Sequence, residues 1–221
     1  MFVAIVPAFN EEKNIGSVVR DLFNRGGVDR VVVIDDGSAD NTALEAEKAG
    51  AIVLKHCLNC GQGAALQTGQ EYAKMVGADY VVHFDADGQF LSSEVIEAWE
   101  YLKAQKANIL FGSRFLNKKS AIPFFKRVVL FPLGRLINRF WGAISLTDPQ
   151  NGFRILDKIA LEKIQIEQPR MAHATEIMIK TKKNNLQYVE HPVQVIYHKY
   201  GQGLRGGMNI VKELFIGQFT K

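Results

Sequence analysis

The chain has 221 residues, of which 47% are hydrophobic and 23% are charged, a composition typical of one globular domain. The formal net charge of +4 is a mild excess that suits an anionic ligand or an anionic membrane surface. No stretch has the roughly 20 uncharged residues of a membrane-spanning helix, and the apolar start lacks the basic segment of a signal peptide. We therefore expect a cytoplasmic protein that meets a membrane only at its inner face, with no nucleic-acid partner.

The first predicted unit is a strand followed by a helix. Residues 2–6 form a short apolar run with β-branched residues, which Pro7 is expected to end. Asn10 can cap the following helix, because acidic residues favourable in a first helical turn come directly after it. Apolar residues then recur at helical spacing until Gly26.

Strands and helices continue to alternate up to residue 115. Further apolar runs predict strands at 30–35, 51–55, 78–84 and 107–114, and the segments between them predict helices. The runs are continuous rather than alternating, which is typical of strands buried on both faces. The sequence therefore predicts an α/β fold with a mostly parallel central sheet and helices on both faces.

Polar residues gather where the predicted strands end. In a parallel sheet these ends share one edge, and ligands bind there. The residues concerned are Asn10 and Glu11, Asp35 and Asp36, residues 59–63, Asp85 and Asp87, and Arg114. We expect them to form one site.

Asp85 and Asp87 stand two residues apart after the fourth predicted strand. Two carboxylates followed by Gly88 and Gln89 form a hard-oxygen site of the kind that Mg²⁺ or Mn²⁺ prefers. The alternative is a simple turn at Asp87 and Gly88, with Asp85 as a cap. The position at a buried strand end, beside other polar strand ends, favours the metal.

Two nearby motifs carry less information. The glycine-rich segment 61–69 is neither a Walker A loop nor a dinucleotide fingerprint, because its spacing and position differ from both. Cys57 and Cys60 supply only half of a four-thiolate zinc site. We expect two reduced thiols without a chemical role.

Seven segments, in order and at the proper spacing, resemble family 2 glycosyltransferases of the nucleotide-sugar-binding GT-A fold. More narrowly, the chain is similar to the polyprenyl-phosphate (dolichyl-phosphate) mannose or glucose synthase branch. The segments are residues 6–15, 32–42, 59–69, 84–90, 112–115, 147–156 and 189–203. The resemblance implies one domain over residues 1–221, with a nucleotide-sugar-binding half at 1–115 and an acceptor-side half at 116–221.

The resemblance also implies roles for individual residues. Pro7, Phe9 and Glu11 match positions that hold the nucleoside of a nucleoside-diphosphate sugar. Ile34 and Asp36 match positions that flank the base, with Asp36 accepting a hydrogen bond from a ring N–H.

A second implied set surrounds the diphosphate. Asp85, Ala86, Asp87 and Gln89 match the metal and sugar-diphosphate loop, and Asp85, Asp87 and Gln89 are the candidate ligands of Mg²⁺ or Mn²⁺. Arg114 matches an arginine that faces phosphate. A metal at this loop would neutralise the leaving nucleoside diphosphate, so Asp87 and Arg114 are catalytic candidates.

Glu176 and Asp148 are further catalytic candidates whose importance depends on the acceptor. Glu176 matches a carboxylate that many inverting relatives use as a base. A sugar hydroxyl needs a base to lose its proton, whereas a phosphate oxygen is already ionised. The alternative for Glu176 is a helix residue that fixes a neighbouring arginine, and Asp148 has the same ambiguity.

The acceptor-side half contains two amphipathic segments. Residues 120–148 mix large apolar side chains with Lys126, Arg127, Arg135 and Arg139, which is typical of a membrane-surface helix or of a core helix with snorkelling arginines. These arginines could also bind an acceptor phosphate. Residues 206–221 carry an apolar stripe that could pack on the domain, lie on a membrane or meet a membrane-protein partner.

One segment departs from the pattern of the branch. The Arg-x-x-Gly-x-Ser-Lys motif near its end is replaced by residues 198–205, where the Ser-Lys pair is missing but positive charge is kept. The leading hypothesis is metal-dependent, inverting sugar transfer from a nucleoside-diphosphate sugar to a polyprenyl phosphate. The alternatives are transfer to a glycan hydroxyl in polysaccharide or O-antigen assembly, and a non-catalytic nucleotide-sugar-binding subunit.

Overall fold

The structure is a computed structural model that describes residues 1–116 and 144–196. Its elements, in chain order, are β1 Phe2–Ala8, α1 Ile15–Arg25, β2 Arg30–Asp35, α2 Thr42–Lys48, β3 Ile52–Lys55, α3 Gln62–Met75, β4 Tyr80–His83, α4 Glu94–Ala104, β5 Ile109–Ser113, β6 Arg154–Asp157, α5 Lys158–Lys163, α6 His173–Lys183 and β7 Tyr188–Pro192. Within the described ranges no helix has the length and apolar character needed to cross a bilayer. The basic residues of segment 120–148, the segment 198–205 and the C-terminal stripe lie outside the described residues.

The described strands form one seven-stranded sheet in the order β3-β2-β1-β4-β6-β5-β7. Four neighbouring pairs are parallel. β6 is antiparallel to both of its neighbours, β4 and β5. The predicted mostly parallel sheet is therefore confirmed, with one antiparallel strand inserted from the second half of the chain.

Each face of the sheet carries its own hydrophobic core. Alternate residues of β1 separate the two, since Val6 faces the helices α1 and α4 whereas Ile5 faces α3 and α6. On the first face, the helical spacing of α1 buries Ile15, Val19 and Leu22 completely. The predicted helices on both faces are thus observed, and the sheet lies buried between them.

Helix α3 lies unusually close to the sheet because Gly69 has no side chain. A Cβ atom at this position would lie 2.9 Å from Cδ1 of Ile34 and would overlap Cγ2 of Ile5. Real Cβ atoms do not approach other atoms so closely, so the packing of α3 on β1 and β2 requires glycine here.

Two local predictions for the first unit are wrong. Pro7 does not end the strand, because β1 continues to Ala8. The proline is tolerated because the pairing of β1 with β4 ends at Ile5. Pro7 therefore has no hydrogen bond to β4 to lose on that side. Asn10 does not cap α1. It has a positive φ of 56° and accepts the N–H of Ala39, while the helix begins after Asn14.

Candidate active site

A cavity of about 600 Å³ opens at the carboxyl edge of the parallel strands. Loops after β1, β2, β3 and β4 line it, together with the loop before α6. The lining residues are Pro7, Ala8, Phe9, Glu11, Asp36, Asn59, Gly61, Gln62, Ala65, Asp85, Ala86, Asp87, Arg170 and Met171. The structure therefore brings together the predicted nucleoside residues and the predicted carboxylate pair.

A second cavity of about 510 Å³ lies at the opposite edge of the sheet. Its lining includes Met1, Asp29 and Trp99, and it contains none of the predicted site residues. The carboxyl-edge cavity is therefore the candidate active site.

Asp36 is buried at one end of this cavity and fixes the glycine-rich turn. One carboxylate oxygen accepts the N–H of Cys60 at 2.9 Å, and the other accepts the N–H of Gly61 at 2.7 Å. His56 adds a third contact, since its Nδ1 lies 2.7 Å from Oδ1 of Asp36 and its Nε2 lies 2.9 Å from Oγ1 of Thr68. Asp36 is thus held in one orientation by its neighbours.

The other residues predicted near the base differ in position. Phe9 is 47% exposed and offers its ring to the cavity. Ile34 is fully buried in the core between β2 and α3 and is not among the residues that line the cavity. Its predicted place beside the base stays a prediction. Cys57 and Cys60 are free thiols, as expected.

The carboxylate pair occupies the other end of the cavity. Gln62 donates from Nε2 to Oδ1 of Asp85 at 2.9 Å. Gly152 lies against the same carboxylate, since a Cβ there would come within 2.5 Å of Oδ2. Asp87 accepts the backbone N–H of Gln89 at 3.0 Å. Burial, and then the charge of Asp87, raise the pKa of Asp85 to about 7.

A buried arginine lies beneath this pair. Arg154 on β6 is fully buried and stands opposite His83 in the antiparallel register. Burial lowers its pKa to about 10, although the charges of Asp85 and Asp148 oppose the shift, so it keeps its charge at neutral pH. Its Nε and Nη1 have no hydrogen-bond partner within the described ranges.

Two histidines beside Arg154 stay neutral. Burial, with the charge of Arg154 added, lowers the pKa of His83 well below its usual value and that of His173 to about 4. Gln70 lies 3.2 Å from Nε2 of His83. The positive charge of this buried group therefore resides on Arg154 alone, and its field favours the ionised form of Asp85.

The carboxylate pair fits a divalent metal ion. Asp85 and Asp87 supply hard oxygen ligands. A bound cation would favour the ionised form of Asp85, which burial and then the charge of Asp87 disfavour. The backbone carbonyl of Gln89 accepts the N–H of Ile196. Its side chain is not part of the cavity lining, so its role as a third ligand stays a prediction.

Arg114 and Asp148 form an ion pair. Nε and Nη2 of Arg114 donate to the two carboxylate oxygens of Asp148 at 2.6 and 2.7 Å. Asp148 is buried, and Asn151 also donates to it at 3.2 Å. The carboxylate therefore orients Arg114, whose charge reaches Asp85. The catalytic roles predicted for both residues stay predictions.

Glu176 lies in the first turn of α6 and outside the cavity lining. Its carboxylate accepts the backbone N–H groups of Glu167 and Gln168 at 2.9 to 3.1 Å. Lys180 lies 2.8 Å from it. This arrangement resembles the alternative in which Glu176 is a helix residue that fixes its neighbours. A lysine and two backbone amides take the place of the expected arginine.

Sequence reasoning missed His56, Arg154 and Arg170, and it included Gln62 only within residues 59–63, without a role of its own. Gln62 and Arg154 lie inside the segments that carried the family resemblance, so their position in those motifs was a usable signal. His56 and Arg170 had no signal of their own. Each meets the site only because the fold brings distant segments together.

Comparison with known proteins identifies the family that this chain resembles. Residues 3–165 match the family model described as glycosyl transferase family 2. The chain is 34% identical to a UDP-N-acetylglucosamine–dolichyl-phosphate N-acetylglucosaminyltransferase of Methanococcus voltae, over 94% of this chain and 89% of the relative. It is 24% identical to a polyprenol monophosphomannose synthase of Mycolicibacterium smegmatis, over 96% and 84% of the two chains.

Solved structures support the fold. Glucosyl-3-phosphoglycerate synthase from Mycobacterium tuberculosis, in complex with Mg²⁺ and uridine diphosphate, superimposes with a TM-score of 0.73. The match covers 97% of this chain and 78% of the other at 18% identity. At this identity the likeness shows the fold, which is the GT-A fold that the sequence predicted.

Proposed function

The chain belongs to glycosyltransferase family 2, and from this premise we propose that it is an inverting enzyme whose acceptor is a polyprenyl phosphate. The donor is a nucleoside-diphosphate sugar, and the metal is Mg²⁺ or Mn²⁺. The observation that carries the proposal is the carboxyl-edge cavity, which places Asp36 at one end and the pair Asp85 and Asp87 at the other.

The cavity suits the donor from end to end. Asp36, which Cys60, Gly61 and His56 hold in place, would accept a base N–H, and Phe9 offers an exposed ring to the same cavity. A metal ion bound by Asp85 and Asp87 would neutralise the diphosphate as it leaves. Among the chain's own residues, Arg154, Gln62 and then Arg114 favour the ionised form of Asp85, while burial and the charge of Asp87 oppose it.

The state of Glu176 supports a phosphate acceptor. A general base must be within hydrogen-bond reach of the proton that it removes. The carboxylate of Glu176 is occupied by two backbone amides and Lys180. An ionised phosphate needs no base, so this arrangement is compatible with a lipid phosphate and unfavourable for a hydroxyl acceptor.

The names of two relatives point the same way. The Methanococcus voltae relative acts on dolichyl phosphate according to its name, and the Mycolicibacterium smegmatis relative makes polyprenol monophosphomannose. For this chain we propose the same class of acceptor, reached at the cytosolic face of a membrane through the basic segment 120–148.

A transfer assay tests the proposal. The protein is incubated with a panel of UDP- and GDP-sugars, Mg²⁺ or Mn²⁺, and either a short polyprenyl phosphate or a saccharide acceptor. We expect labelled sugar to appear in the lipid phosphate and the product to be lost with excess chelator. Transfer only to the saccharide would assign the glycan alternative. Nucleotide binding without transfer to either acceptor would indicate a non-catalytic subunit.

A further inference from the structure

The loop between α5 and α6, residues 164–172, crosses the glycine-rich turn that follows β3. A Cβ atom at Gly61 would lie 2.5 Å from the carbonyl oxygen of Pro169 and 2.9 Å from Cγ of Arg170. At Gly63 it would overlap the carbonyl oxygen of Gln168. The two glycines therefore provide the space in which this loop and the stem of Arg170 lie.

Arg170 brings positive charge into an acidic cavity. Among the lining residues the other ionisable side chains are acidic, namely Glu11, Asp36, Asp85 and Asp87. Arg170 is exposed. Within residues 1–116 and 144–196, no carboxylate lies within ion-pair distance of its guanidinium group. An exposed, unpaired arginine on the wall of an acidic cavity is suited to an anionic ligand.

The loop that presents Arg170 is fixed at several points. Pro169 accepts the N–H of Ala64 at 3.1 Å, and the N–H of Ile166 donates to Gln67 at 2.6 Å. Nδ1 of His173 lies 2.7 Å from the carbonyl oxygen of Arg170. This imidazole is neutral at neutral pH, so Nδ1 carries the proton and donates it to that carbonyl.

Glu176 completes the attachment of the loop. Its two oxygens accept the N–H groups of Glu167 and Gln168, which lie three and two residues before Arg170. A carboxylate is the side chain that accepts at both oxygens, and glutamine would turn an N–H₂ group toward one of the amides. Glu176 therefore holds the backbone of the loop that carries Arg170.

The position of Arg170 in the cavity indicates which group of the donor it would contact. Its stem lies over Gly61, whose N–H donates to Asp36, and the next residue, Gln62, donates to Asp85. Arg170 thus stands between the nucleoside end and the carboxylate pair. The group of a nucleoside-diphosphate sugar that spans this interval is the diphosphate.

We propose that Arg170 binds the donor diphosphate and that Glu176 is a positioning residue that holds the Arg170 loop. The inference rests on the proposed function for the class of donor. Arg170 presents a planar fork of N–H donors, which matches phosphate oxygens in a bidentate manner. It would add a positive charge to a cavity whose other ionisable lining residues are acidic.

Calorimetry with UDP and with GDP, each in Mn²⁺, tests the role of Arg170. We expect Arg170→Gln to weaken binding of the preferred nucleotide by about tenfold, the effect of one charge-assisted contact. Arg170→Lys should bind with intermediate affinity. Arg30→Gln, an exposed change at the opposite edge of the sheet, should bind as wild type does. High salt should reduce the gap between wild type and Arg170→Gln.

Two outcomes would overturn the assignment, and they are distinguishable. Equal nucleotide affinity of wild type and Arg170→Gln would remove Arg170 from the site and leave the proposed function standing. A wild-type protein that binds neither UDP nor GDP would remove the proposed function, and the inference with it.

A double-mutant cycle tests the role of Glu176. If Glu176 acts through Arg170, Glu176→Gln weakens nucleotide binding in the wild-type background and adds little in the Arg170→Gln background. Turnover at saturating donor and its pH profile should then stay close to wild type. Unchanged nucleotide affinity together with a lost acidic limb in the pH profile of kcat would identify a base and overturn the positioning role.

Discussion

Asp87 is the single residue on which the proposed metal site depends most directly. Replacing it by asparagine turns one of two anionic ligands neutral while keeping the size of the side chain. We expect Asp87→Asn to lose most Mn²⁺-dependent nucleotide affinity and about a hundredfold or more of turnover. Calorimetry with and without Mn²⁺ measures the first effect. Full activity of the variant, or of wild type in excess chelator, would refute the role of the carboxylate pair.

Asp85 gives a pH-dependent prediction about stability. Its folded-state pKa is about 7, raised from 3.8, so the folded state holds a proton that the unfolded state has released between these values. The contribution of Asp85 to the free energy of unfolding therefore falls as pH rises from about 4 to about 7. Asp85→Asn should stabilise the metal-free protein more at pH 8 than at pH 5, with a difference between the two pH values on the order of 2–3 kcal/mol.

Urea denaturation at both pH values measures this difference. Asp21→Asn is the matched control, because Asp21 is a half-exposed helix residue remote from the cavity. A variant that is equally stabilised at pH 5 and pH 8 would show that the charge of Asp85 is not the cause.

The structure changes the effect that we expect Asp36→Ala to have on stability. At the end of a strand, Asp36→Ala is expected to weaken donor binding and leave the fold intact. In the structure the residue is buried and accepts two backbone N–H groups. The alanine variant should therefore also lose about 1–3 kcal/mol of stability, because those amides lose their partner. Calorimetry and thermal unfolding together test both losses, and unchanged stability would contradict the structural role.

At the scale of elements, the contact of α3 with the sheet depends on one missing side chain. Gly69→Ala would place a methyl group against Ile5 and Ile34, and overpacking of this kind costs about 1–3 kcal/mol. Gly16→Ala is the matched control on α1, because its Cβ would lie at ordinary contact distances, 3.4 Å from the flexible end of Arg20 and 3.6 Å from the carbonyl oxygen of Glu45. Denaturant midpoints should separate the two variants, and equal midpoints would contradict the packing argument.

The elements show which features sequence reasoning could reach. Continuous apolar runs identified the first five strands, and their carboxyl ends correctly located Asp36, Asp85 and Asp87. β6 was missed because it contains only two apolar residues, Ile155 and Leu156, and because the sequence does not reveal its antiparallel partners. His56 and Arg170 reach their neighbours only through the fold.

At the scale of the whole molecule, the two halves of the chain share one sheet. β6 and β7 come from the second half, and β6 lies between β4 and β5 of the first half. The insertion of β6 between β4 and β5 places Arg154 beneath the carboxylate pair and Gly152 against Asp85. The donor site predicted for residues 1–115 is therefore completed by residues of the second half.

The two classes of acceptor predict opposite patterns for the complete enzyme. With a lipid phosphate, cationic residues must bring one anion close to another. Loss of Arg127, Arg135 or Arg139 should then reduce turnover more than Glu176→Gln at saturating donor. With a hydroxyl acceptor the order reverses, because general-base catalysis contributes about 10²–10⁴-fold. Steady-state kinetics of the four variants with both acceptors measures the difference.

Binding to anionic liposomes gives an independent measurement of the lipid route. Basic residues near such a surface contribute about 1 kcal/mol each, and salt screens this attraction. We expect wild type to bind vesicles that contain anionic lipid, to dissociate as salt rises, and to bind less when the three arginines are replaced. An inactive Glu176→Gln enzyme beside active arginine variants, with no vesicle binding, would assign the saccharide acceptor instead.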